Sequence, residues 1–184
     1  MSNQSIIEYC APTLAGLKTG SLFLVKNESY EEINSDIRAL NRVLKEKGLR
    51  AIPVRKKSGS TLIYVYRLNF LEKDLRQPEA EEILLERGYT CSDPCRCVAR
   101  LAKRLACGDE FPHEIGLFLG YPAGDVKGFI DHPNEGVKCV GCWKVYTDKE
   151  KAEQIFRKYK KCTEKYKEAY QNGWPFSQLI VQAG

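Results

Sequence analysis

Ile115-Gly-Leu-Phe-Leu-Gly-Tyr-Pro-Ala-Gly-Asp125 is the stretch on which the fold turns. Residues 115–119 are the most apolar run in the chain, and five residues suit a buried strand at the centre of a sheet. The segment from Gly120 to Asp125 then reads as a tight turn opening a short helix. Working outward, residues 21–25, 49–55, 61–67 and 140–146 are β-rich, and the second and third of these form a hairpin across Lys-Lys-Ser-Gly-Ser. Pro53 has no N–H to give to a ladder, which assigns its strand to a sheet edge.

Helical spacing fills the intervals. Ser29 and Glu32 form a capping box ahead of Ile33, Ile37, Leu40 and Leu44, so the spacing predicts an amphipathic helix over 30–47 closed by Gly48. Shorter helices are predicted over 69–77 and 78–87. Another starts at Asp93 or Ser92 with Pro94 in its first turn, buries Val98, Leu101, Ala102 and Leu105, and ends at Gly108. Thr147 or Asp148 caps the longest, which runs to 172. Near the start, Pro12 suits the first turn of a helical segment through Lys18 that follows a short N-terminal helix. The sum is a single-domain α/β protein of mixed α+β character. Its mixed sheet has about five strands, with 115–119 at the centre, and the 30–47 and 148–172 helices cover it.

Composition narrows the class. A chain of 184 residues with 43% apolar and 29% charged residues is globular. Its longest charge-free apolar stretch, 115–124, is half a bilayer span and contains Pro122, so the sequence predicts no transmembrane helix. The first eight residues lack the basic and apolar segments of a secretory signal, which points to the cytoplasm. Eight cysteines in a reducing compartment are thiols or metal ligands rather than a disulfide framework, and that many thiols suit life without oxygen.

Three stretches carry a family resemblance: Cys10-Ala-Pro-Thr-Leu-Ala-Gly-Leu-Lys18, His113-Glu-Ile-Gly-Leu-Phe-Leu-Gly-Tyr-Pro122 with Asp125-Val-Lys-Gly-Phe-Ile130, and Gly141-Cys-Trp-Lys-Val-Tyr146. Together they resemble an uncharacterised domain-of-unknown-function family of anaerobic, clostridial-type bacteria. The resemblance spans nearly the whole chain and implies no catalytic residue.

Cys91, Cys95 and Cys97 with Cys139 and Cys142 supply five thiols, but only one C-x2-C pair is present, and Cys95 and Cys97 point about 200° apart on a helix. The spacing favours free thiols over a metal. Cys10 stands just ahead of a predicted helix start, where the dipole favours a thiolate. That makes it the candidate nucleophile, with His113 as base and Glu114 as the adjoining carboxylate. Neighbours in an extended chain face opposite ways, so His113 and Glu114 belong to different environments. The turn offers a different site. Gly120 and Gly124 admit close backbone approach, Tyr121 supplies a stacking face, and Asp125 opens the helix at the exit of the central strand. A five-residue strand spans roughly 16 Å, which separates this turn from His113. Trp143 shares a strand face with Val145, and Lys144 shares the other with Tyr146. Lys18 adds a cation.

The net charge of +5 favours anionic ligands. In the 148–172 helix, Lys158, Lys160 and Lys161 alternate with Glu150, Glu153, Glu164 and Glu168, the pattern of a solvated face rather than a nucleic-acid site. The reading that follows is a cytosolic accessory protein of anaerobic metabolism binding a small anionic or flat ligand beside the turn. The alternatives are a cysteine enzyme built on Cys10 and His113, and an adaptor holding an acidic protein on the lysine-rich helix.

Overall fold

A computed structural model of the chain describes residues 1–26, 29–57, 59–90, 93–107 and 110–182. Strands β1 (Gly20–Lys26), β2 (Leu49–Lys57) and β3 (Ser60–Arg67) form an antiparallel sheet in the order β1-β3-β2. The central strand is therefore β3, and its side chains alternate between two cores. Leu62, Tyr64 and Tyr66 enter one, and Ile63 and Val65 enter the other. Covered on both faces, β3 has no polar side to show, which is why its sequence is nearly all apolar. Pro53 holds β2 at the edge as predicted, and the ladder slips between Pro53 and Arg55.

Helices α1 (Asn3–Leu14) and α2 (Tyr30–Lys45) lie on the Ile63 face, and α2 begins at the predicted capping box. Glu32 N–H donates to Ser29 Oγ at 3.2 Å, and Ser29 N–H donates to Glu32 Oε2 at 2.8 Å. On the Tyr64 face gather α3 (Leu68–Leu75), α4 (Pro78–Glu86), α5 (Pro94–Cys107), α6 (Ile115–Phe118) and α7 (Ala123–Asp131). The long α8 (Lys149–Gln171) packs along α1. A separate two-stranded hairpin, β4 (Cys139–Val140) and β5 (Lys144–Val145), rests on a third small core of Trp143, Val145 and Ala152. Arg67 ends β3 almost fully buried. Its guanidinium donates to the carbonyls of Thr13, Leu14 and Val181 at 2.6 to 2.7 Å, tying the end of α1 to the C-terminal segment.

Three expectations are corrected. Residues 115–119 are not the central strand, because 115–118 form the short helix α6 inside the Tyr64 core. A five-residue apolar run fits a buried helix as well as a buried strand, and here the sheet is already closed on both sides of β3. Gly120, at φ +76, terminates α6: its N–H donates to Leu117 O at 3.1 Å and Tyr121 N–H to Gly116 O at 2.9 Å. Second, the 140–146 segment does not join the main sheet, so one sheet of about five strands is replaced by a three-stranded and a two-stranded one. Third, α1 is a single helix with Pro12 inside it near its end, where proline removes just one interior hydrogen bond. Asp93 caps α5, accepting from Cys95 N–H at 2.8 Å, whereas Ser92, Gly108 and Cys91 lie outside the described residues. No helix among the described residues is long and apolar enough to cross a membrane.

Candidate functional site

Helices α6 and α7 form the floor, and the β4–β5 hairpin the roof, of a cavity of about 430 Å³. Ile115, Gly116, Val126 and Phe129 line the floor, Val140, Gly141, Trp143 and Lys144 the roof, and Phe111 and His113 one side. Two close approaches shape it. A Cβ on Gly116 would stand 2.7 Å from a Val126 methyl, so glycine lets α6 press onto α7. A Cβ on Gly141 would fall 2.2 Å from the Phe156 ring, so glycine seats the hairpin turn on α8.

The walls are aromatic. Tyr121 stacks on Trp143 with ring centres 4.8 Å apart and planes 28° from parallel, and Trp143 meets Phe156 edge-on at 4.6 Å. Tyr121 Oη donates to the Cys142 carbonyl at 3.1 Å, and burial pushes its phenol up to about 12. Polar groups stand at the rim. His113 is exposed and meets Phe129 edge-on at 4.8 Å. Lys144 is half-buried, with Nζ 5.3 Å from the Phe129 ring centre and donating to Pro133 O at 2.7 Å. One histidine and one ammonium over an apolar interior is the composition of a small-molecule pocket.

Asp125 holds the roof down. From the first turn of α7 its buried carboxylate accepts Trp143 Nε1–H at 2.7 Å on Oδ2. Its Oδ1 accepts Tyr146 N–H and Thr147 N–H at 2.8 Å and the Thr147 hydroxyl at 2.7 Å. Four donors converge on one carboxylate, so its principal business is internal.

His113, Tyr121, Asp125, Trp143 and Lys144 therefore meet around one cavity. The separation of His113 from the turn is corrected: four helical residues rise only about 6 Å, where five strand residues would rise about 16 Å. The turn's own backbone is another matter. Gly120 and Tyr121 spend their N–H groups closing α6, and a Cβ on Gly124 would stand 2.8 Å from Thr147, so Gly120 and Gly124 serve packing and do not line this cavity. Glu114 points away from His113 into the core. Arg104 Nε lies 2.7 Å from its Oε1, and Tyr89 Oη donates to the same oxygen at 2.8 Å.

Cys10 is fully buried, in the second half of α1 rather than at a helix start, and among residues of the Ile63 core. Burial pushes its thiol up to about 12, against a smaller opposing pull from Lys18. Lys18 lies outside the cavity behind Tyr121, its Nζ 5.4 Å from that ring and 5.9 Å from the Tyr159 ring, and burial lowers its ammonium. Cys10, Cys95, Cys107, Cys139, Cys142 and Cys162 are free thiols, and no group of three or more His, Cys, Asp or Glu side chains gathers into a metal-sized cluster among the described residues.

Sequence reasoning missed Phe111, Phe129 and Val140. Phe129 had a signal: Asp125, Val126 and Phe129 fall on one face of α7 at helical spacing. Phe111 and Val140 come from irregular or two-residue elements and had none.

Fold and cavity define a class: an α/β protein with a preformed aromatic pocket of small-molecule size beneath a tethered hairpin. A family model described as "Protein of unknown function (DUF3793)" matches residues 6–180, and the chain belongs to that family. Comparison with curated proteins gives no match, and comparison with solved structures gives none.

Proposed function

We propose that the protein is a binding module whose aromatic pocket takes a small, flat, largely apolar molecule carrying one anionic group, and that it serves as an accessory protein in the cytoplasm of an anaerobic cell. The observation that carries the reading is the cavity of about 430 Å³ with stacked Tyr121 and Trp143 as one wall and His113 and Lys144 at the mouth. A planar ring system gains by packing against the edges of those rings, and its carboxylate or phosphate meets the two rim groups. Asp125 would position Trp143 rather than contact the guest. The cysteine-enzyme reading is not favoured, because a fully buried thiol raised to about 12 holds almost no thiolate at neutral pH. Cys10 in this reading packs as a small hydrophobe.

Trp174 is exposed and would blur the optical signal, so the test uses a Trp174→Phe background in which Trp143 reports alone. Titration with 2-naphthoate is expected to give saturable quenching, with 2-naphthamide weaker by about tenfold and Lys144→Gln removing that preference. Absence of saturable quenching by either compound up to millimolar concentration overturns the proposal.

A further inference from the structure

The sequence's strongest run of positive charge, in α8, is diluted by interleaved carboxylates, but the structure assembles a purer one elsewhere. Helix α5 carries Arg96, Arg100, Lys103 and Arg104, and β2 carries Arg50, Arg55, Lys56 and Lys57; neither element contains an acidic residue. The two pack together. At about 100° per residue, Arg96, Arg100 and Lys103 fall within roughly 60° of one another and span about 10 Å of helix. All three are exposed, on the side of α5 opposite its buried Val98, Leu101 and Leu105. Arg104 turns inward to Glu114 and leaves the stripe.

Where the last turn of α5 passes the tip of β2, a cleft of about 300 Å³ opens between Arg55, Lys56 and Lys57 on one side and Ala106, Glu110 and Phe111 on the other. Glu110 is the one carboxylate in that lining among the described residues. Phe111 is 41% exposed, and the Arg55 guanidinium lies 5.7 Å from its ring centre. An exposed ring beside a guanidinium, bordered by lysines and continued by a basic stripe, matches what an unstacked base and its flanking phosphates need. A protein partner would require a broad apolar centre, and among the described residues lining this cleft Phe111 is the one exposed ring.

We propose that the β2 tip and the outer face of α5 bind a single-stranded polynucleotide, with one base against Phe111 and phosphates following Arg55, Lys57 and the Arg96–Arg100–Lys103 stripe. This surface is distinct from the ligand pocket and does not depend on it, although Phe111 borders both cavities.

The test is fluorescence anisotropy with labelled 12-residue oligo-uridine and oligo-deoxyuridine across a salt series. Both are expected to bind, with affinity falling steeply with salt; the tighter of the two names the sugar. Reversing Arg96, Arg100 and Lys103 to glutamate should weaken binding at least tenfold and flatten the salt slope by about 2. Arg55→Glu with Lys57→Glu is a second, independent set should the first not fold, and is expected to cost at least tenfold while leaving naphthoate quenching unchanged. Phe111→Ala should cost about tenfold. The corresponding reversal of Lys158, Lys160 and Lys161 on α8 should change affinity less than twofold. No binding at 50 mM salt, an equal loss from the α8 reversal, equal affinity for a 12-base-pair duplex, or equal affinity for a poly-glutamate peptide would each overturn the proposal.

Discussion

Asparagine in place of Asp125 is the change whose outcome can be worked most closely from the structure. Oδ1 of Asp125 accepts from Tyr146 N–H, Thr147 N–H and the Thr147 hydroxyl, and an asparagine oxygen can keep those bonds in weaker, uncharged form. Oδ2 accepts the Trp143 indole N–H at 2.7 Å, and there asparagine presents an NH2, setting donor against donor. Losing a buried bond to a charged acceptor and stranding the indole N–H costs about 2 to 3 kcal/mol. Asp125→Ala removes all four bonds, yet its loss is capped, because the hairpin can detach from α7 before the full penalty accrues; about 4 kcal/mol is expected. Urea unfolding at neutral pH, with the slope checked for constancy, measures both. The attribution to one bond is tested by a cycle. In a Trp143→Phe background the opposed donor is gone, and Asp125→Asn should cost less than about 1 kcal/mol. Equal costs for Asp125→Asn in the two backgrounds, or a cost below 0.5 kcal/mol in the native one, would refute the assignment of Asp125 as the tether of the pocket roof.

Four further outcomes follow from the same geometry. The Cys10 thiol is raised in the folded chain from 9.0 to about 12, so above pH 9 the unfolded chain gives up its proton first and stability falls with rising pH. Cys10→Ala should remove up to about 1.4 kcal/mol per pH unit of that fall between pH 9 and 12, read as the difference between two sets of urea midpoints. In native protein at neutral pH, iodoacetamide should label Cys95, Cys107 and Cys142 well before Cys10, as peptide mass mapping would show. Arg104→Leu leaves Glu114 buried with Tyr89 as its remaining partner, and a loss of about 2 kcal/mol is expected, discounted because Arg104 is 35% exposed. Adding Glu114→Gln should recover part of it, and no recovery would mean the cost lies in lost packing. Gly120→Ala forces a side chain into φ +76 with its Cβ 2.7 Å from Thr19 Oγ1, and a thermal-melt loss corresponding to about 2 kcal/mol is expected.

The elements legible in the sequence were those with local chemistry to announce them. The Ser29–Glu32 capping box, the apolar stripe of α2, the hairpin partner of Pro53 and the cap at Asp148 are each set by residues within a few positions of one another. Residues 115–119 carried no such announcement. Their apolar character reports burial, and burial is common to a core strand and to α6; what decides between them is Gly120, which here ends a helix, and the partner strand that is missing because β3 is already paired on both sides. Five of the residues singled out from sequence do meet in the pocket, because Tyr121 and Asp125 follow α6 while Trp143 and Lys144 arrive from the hairpin. Cys10 does not stand at a helix start because α1 runs through Pro12 rather than opening there, so the positive end of the dipole lies at Asn3, two turns away.

Trp143 has one edge in the cavity and the other bonded to Asp125, so recognition and anchoring share a single indole. Any visitor that rotates the ring breaks its tie to α7 and must repay that loss from its own contacts, whereas one that leaves the ring where it stands binds without penalty. The tryptophan thus acts as a shape censor, and it favours molecules thin enough to lie along its edge over bulkier ones of equal hydrophobicity.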